Sequence, residues 1–103
     1  MRVIVCSGRY GGPSTEDFFC AGMMVDRIER DLRKHGIEIQ LGETASAASD
    51  FAAANRGHGL NVLSSSEHGR FLESIGFGDD LIFASRIDLY DVVPVSTVNA
   101  LFC

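Results

Sequence analysis

The chain predicts an α/β domain of three-layer, Rossmann-like architecture built on a mostly parallel sheet of four to five strands. Three observations lead there. Short apolar runs alternate with amphipathic helical patterns along the whole length. The first run, Val3-Ile4-Val5, leads through Cys6-Ser7-Gly8 into a glycine-rich loop and a helix cap. No internal repeat competes with the strand and helix alternation that accompanies parallel sheets and right-handed crossovers.

Residues 3–6 are apolar and mostly β-branched, the composition of a strand buried on both faces. Pro13-Ser14-Thr15-Glu16-Asp17 is a helix start, with hydroxyl residues as caps and two carboxylates facing the macrodipole. Phe18, Ala21, Val25, Ile28 and Leu32 then step by three and four, which predicts a long helix with one apolar face. His35-Gly36 ends it, the glycine at C′ and the histidine as a cation near the C-terminus. Ile37, Ile39 and Leu41 alternate as a second strand over 37–41. The alanine-rich stretch 46–56 predicts a short helix capped by Thr44 or Ser46, with Asp50 toward its positive end. Residues 60–63 predict a third strand, 67–75 a brief helix burying Phe71, Leu72 and Ile75, and 81–84 a fourth strand entered through a solvated turn at Asp79-Asp80. Val92-Val93 predicts an edge strand limited by Pro94, and residues 96–102 the start of a last helix.

Length and composition bound the function. One domain spans residues 1–103, with 46% hydrophobic and 22% charged residues and a net charge of −5. That acidity argues against nucleic acid as a partner, because phosphates would be repelled at long range. No apolar run reaches membrane-spanning length, and no signal peptide or membrane contact is expected. Three cysteines, Cys6, Cys20 and Cys103, lack metal-type spacing and predict a reducing, cytoplasmic setting. His35, His58 and His68 are scattered over separate segments, so no metal is expected.

The candidate site is the first loop. Gly8, Gly11 and Gly12 allow close backbone approach, Arg9 adds a fixed positive charge, and Ser14 or Thr15 opens a helix whose free N–H groups attract anions. Arg9 has two readings, pairing with Asp17 or Asp50 or holding a ligand anion. Cys6 reads first as a small buried hydrophobe. The spacing of Gly8, Gly11 and Gly12 is not the dinucleotide fingerprint, and no cofactor is expected.

Ser7-Gly8-Arg9 after the first strand resembles the opening of short, YspA-like members of the SLOG superfamily. Partial counterparts follow in order: Ala48-Ser49-Asp50 with Ala53, the run from Asp80 to Ala84, and Ser96-Thr97 with Ala100. The resemblance implies a Rossmann-like fold and a nucleotide or nucleotide-derived anion held by Ser7, Gly8, Arg9, Gly11, Gly12, Ser14, Thr15, Asp50, Ser96 and Thr97. It assigns no catalytic residue. Cys6 at the end of the first strand also resembles the phosphorylated cysteine of phosphotransferase-system IIB proteins of lactose and galactitol type, which implies phosphocysteine transfer. A third reading is a non-enzymatic regulatory or inhibitory module that binds a protein through the acidic surface and the flank Phe18, Phe19, Met23 and Met24. Apolar residues at the end of the chain predict a homodimer.

Overall fold

A computed structural model describes residues 1–97 and 100–102. Five helices run in order: α1 Thr15–Lys34, α2 Glu43–Ala54, α3 Gly59–Ser65, α4 Glu67–Ser74 and α5 Gly78–Ala84. Two three-residue strands follow, β1 Val95–Thr97 and β2 Ala100–Phe102, paired antiparallel with Ser96 opposite Leu101. The Rossmann-like parallel sheet is therefore corrected to a mostly helical fold with one short ribbon.

The long helix forms where its caps place it. Ser14 is the N-cap and accepts a hydrogen bond from the Asp17 N–H at 3.4 Å, Glu16 and Asp17 occupy the first turn, and Arg33 and Lys34 the last. His35 is the C-cap, its Nδ1 2.9 Å from the Asp31 carbonyl, and Gly36 follows. The buried face differs from the expected one. Phe19 and Gly22 are buried, whereas Ile28 is about half exposed. Gly22 sets this rotation, because a Cβ there would lie 2.6 Å from the Ala48 carbonyl carbon and 3.1 Å from the Ala52 Cβ. Only a residue without a side chain lets α2 approach so closely.

The core is small. Phe19, Ala52 and Val62 form it, with Met23 and Phe51 packed against it. Phe51 meets Phe19 edge-on at 6.0 Å between ring centres and Phe18 at 5.8 Å, both favourable aromatic spacings. Asp26, partly buried, bridges Arg30 on its own helix at 2.9 Å and Arg56 beyond α2 at 3.0 Å, tying the two helices at their solvent edge.

Each expected strand among the described residues takes another form. Residues 60–63 lie in α3 and 81–84 in α5. A four-residue apolar run does not distinguish a strand from a buried helical turn. In α5 the pair Asp79-Asp80, expected as a solvated turn, is the acidic first turn of the helix. Residues 3–6, 37–41 and 92–93 are in no strand, since β-branched composition favours a pleated surface only where a neighbour supplies one. The last helix expected over 96–102 is replaced by β1 and β2, with residues 98 and 99 outside the described residues.

Candidate functional site

The loop before α1 is a tight two-residue turn. Arg9 and Gly12 exchange both backbone hydrogen bonds at 2.9 Å, with Tyr10 (φ 51°) and Gly11 (φ 74°) between them. Positive φ at both central positions is the requirement of this turn type, which glycine meets freely and tyrosine does not. Asp17 fastens the loop to α1: its Oδ2 accepts the Gly8 N–H at 2.8 Å and the Ser7 hydroxyl at 3.3 Å. The Cys6 thiol lies 3.7 Å from the Asp17 carbonyl.

With Asp17 so engaged, the guanidinium of Arg9 turns to aromatic faces. It stands 5.0 Å from the centre of the Tyr10 ring and 5.6 Å from that of Phe71 on α4. Cation–π contacts of this kind hold a guanidinium while leaving its N–H edge free for an anion. Among the described residues no ion pair involves Arg9, so of its two readings the pairing with Asp17 or Asp50 is not formed.

The turn, the start of α1 and the start of α4 enclose an open cleft of about 350 Å³. Arg9, Tyr10, Gly12, Pro13, Ser14, Thr15, Glu16, Glu67 and His68 line it. Two helix N-termini thus face one space, each contributing free N–H groups and roughly half a positive charge. The Ser66 hydroxyl accepts the Gly69 N–H at 2.9 Å and donates to the Leu63 carbonyl at 2.7 Å, which fixes the corner presenting Glu67 and His68. His68 stacks on Phe71 at 6.3 Å between ring centres, and its Nδ1 is buried without a partner. Glu16 and Glu67 add two carboxylates whose charge opposes an anion. Among the described residues no group of three or more His, Cys, Asp or Glu is arranged to hold a metal ion.

Of the residues selected from sequence, Arg9, Gly12, Ser14 and Thr15 line the cleft. Ser7 and Gly8 support it through Asp17, and Gly11 makes the turn. Asp50 lies exposed on α2 and Ser96 in β1, neither of them among the lining residues, and Thr97 is also in β1. Tyr10, Pro13, Glu16, Glu67 and His68 line the cleft without having been selected from sequence. Ser66 caps α4, but nothing in the residue pattern shows that α4 starts opposite α1.

The family profile described as 2-phosphosulpholactate phosphatase matches residues 2–99. A probable 2-phosphosulfolactate phosphatase of Thermotoga maritima is 33% identical over 97% of this chain and 40% of the relative's own length. One from Gloeothece citriformis is 32% identical over 86% of this chain and 36% of its own, and one from Clostridium tetani 26% over 89% and 36%. The chain spans about two fifths of the length of these relatives. No solved structure matches it.

These matches overturn the SLOG and IIB resemblances, and with them the nucleotide-binding, regulatory-module and phosphocysteine-transfer readings. The helical fold removes the sheet edge on which the first depended, and Cys6 is not among the residues lining the cleft. Among the described residues, no helix is long and apolar enough to cross a membrane. The chain belongs to the 2-phosphosulpholactate phosphatase family.

Proposed function

We propose that this chain supplies the phosphate-holding part of a phosphatase that hydrolyses 2-phosphosulfolactate, with the cleft between α1 and α4 as its site. The carrying observation is the family match over residues 2–99, which includes every cleft residue. The named substrate is a phosphate ester of a hydroxy acid that also bears a carboxylate and a sulfonate. Its hydrolysis forms a bond from water oxygen to phosphorus and breaks the ester P–O bond, and the departing alkoxide takes up a proton.

Each cleft group has a use in that reaction. The planar fork of Arg9 suits two phosphoryl oxygens at once. The N–H groups at the start of α1, around Thr15 and Glu16, stabilise charge on the equatorial oxygens as the bond loosens. His68, through Nε2, is the group placed to protonate the leaving oxygen, and Glu16 or Glu67 to take a proton from the attacking water. Asp17 touches no substrate; it positions Arg9 by holding Ser7 and Gly8. We place the protein in the cytoplasm, because Cys6 and Cys20 are free, exposed thiols.

The test is an NMR titration of the chain with 2-phosphosulfolactate, followed by phosphorus spectra for release of inorganic phosphate. The expected result is saturable shifts at Gly12, Thr15 and His68 that sulfolactate without phosphate does not produce. Equal shifts with both compounds, or none at millimolar concentration, would contradict the assignment.

A further inference from the structure

A strained point of the backbone is also part of the cleft. Tyr10 has φ 51° at the first central position of the turn between Arg9 and Gly12, and it lines the cleft beside Arg9. A bulky side chain in the left-handed region is costly where asparagine or glycine is at ease. With Gly11 following, asparagine here would complete the pair that such a turn favours most. Burial does not offset the cost, since Tyr10 is 95% exposed. The ring instead stands against the guanidinium of Arg9, 5.0 Å from its centre. Strain that persists without core packing to explain it points to a functional constraint.

The contact belongs to a longer series. The same guanidinium stands 5.6 Å from the centre of Phe71, and the Phe71 ring lies 6.3 Å from that of His68, the two planes inclined by 22°. Tyr10, Arg9, Phe71 and His68 thus follow one another from the turn before α1 to the start of α4. Arg9 reaches this series on a long, rotatable side chain, and Glu16 and Glu67 line the same cleft. A guanidinium without aromatic contacts would sample many rotamers and be drawn to those carboxylates. Either motion withdraws its N–H fork from an incoming phosphoryl group. An aromatic face holds the cation without occupying that fork.

We propose that Tyr10 is a positioning residue, held in a conformation unfavourable for its type so that its ring keeps Arg9 beside Phe71 and open to a phosphoryl anion. It acts through Arg9 and touches no reacting atom. This role rests on the reading of the cleft as a phosphate site. It adds that the turn gives up stability for anion affinity, so the two properties move in opposite directions when Tyr10 is replaced by the residue the turn prefers. A tyrosine kept for structure alone would lose both together.

Wild type, Tyr10→Asn and Tyr10→Phe are compared by NMR titration with inorganic phosphate, by thermal unfolding, and by the proton shifts of the Arg9 Hδ resonances. Tyr10→Asn is expected to raise the thermal midpoint and yet to bind phosphate about two- to fivefold more weakly, the worth of one exposed cation–π contact. Tyr10→Phe keeps the ring face and is expected to restore most of the affinity lost in Tyr10→Asn. The Arg9 Hδ protons are expected to show ring-current shifts in wild type and Tyr10→Phe that shrink in Tyr10→Asn. Undiminished affinity in Tyr10→Asn, a lowered midpoint in that variant, or a Tyr10→Phe as weak as Tyr10→Asn would each overturn the proposal. Failure of the phosphate reading itself looks different, because wild type would then bind no phosphate. In that case the Hδ shifts decide, and identical shifts in wild type and Tyr10→Asn would overturn the positioning role.

Discussion

Replacing Gly69 by alanine joins the stability of the fold to the shape of the cleft. A Cβ at this position would lie 2.8 Å from the Leu63 carbonyl carbon and 2.9 Å from the Ser66 hydroxyl, and closer still to the Leu63 carbonyl oxygen. The obstacle is mainly backbone, so relief requires α3 and α4 to separate at their shared corner. Overpacking of this kind costs about 1–3 kcal/mol, and the displaced Ser66 cap costs about 1 kcal/mol more. Alanine returns about 1 kcal/mol through its better helix propensity. The net expectation is a loss of about 1–3 kcal/mol, which moves the thermal midpoint of a domain this size down by about 4–8 °C per kcal/mol.

Urea unfolding followed by far-ultraviolet circular dichroism reads the stability, and Ser66→Ala, which removes the cap without the clash, is the comparison. Ser66→Ala should lose about 1 kcal/mol and Gly69→Ala more. Because the corner aims His68 into the cleft, Gly69→Ala should also weaken phosphate binding. An unchanged or raised midpoint for Gly69→Ala would refute the packing at this corner.

Two further expectations follow from the same geometry. Gly22→Ala should push α2 away from α1 at Ala48 and Ala52 and lower stability by about 1–3 kcal/mol, measured by urea unfolding; a stabilised protein would mean that the helices are not in close contact there. Glu67→Gln removes a like charge beside the bound anion, and inorganic phosphate should bind about two- to tenfold more tightly; isothermal titration giving weaker binding would place Glu67 away from the anion.

What could be read from the residues was set by local signals with a mechanism. Ser14 with Glu16 and Asp17 fixed the start of α1, and His35 and Gly36 its end. The strands failed for a common reason. Residues 60–63 and 81–84 are too short for periodicity to separate strand from helix, and an acidic pair such as Asp79-Asp80 suits a solvated turn as well as the first turn of a helix. Residues 3–6 have strand composition, but pairing depends on a neighbour that the chain's own described residues do not provide. Arg9, Gly12, Ser14 and Thr15 could be selected because glycine, cation and cap lie together in sequence. Glu67 and His68 enter the cleft only through the packing of α4 beside the turn, which no local pattern encodes.

The central claim is that Arg9, held between Tyr10 and Phe71, is the group that receives a phosphoryl anion. Titration of inorganic phosphate into wild type, Arg9→Lys and Arg9→Ala measures it directly. The expected order is saturable binding by wild type, weaker binding by Arg9→Lys, which loses the two-pronged contact, and at least about tenfold weaker binding by Arg9→Ala. Equal affinity in wild type and Arg9→Ala, with the helical content of both intact, would contradict it.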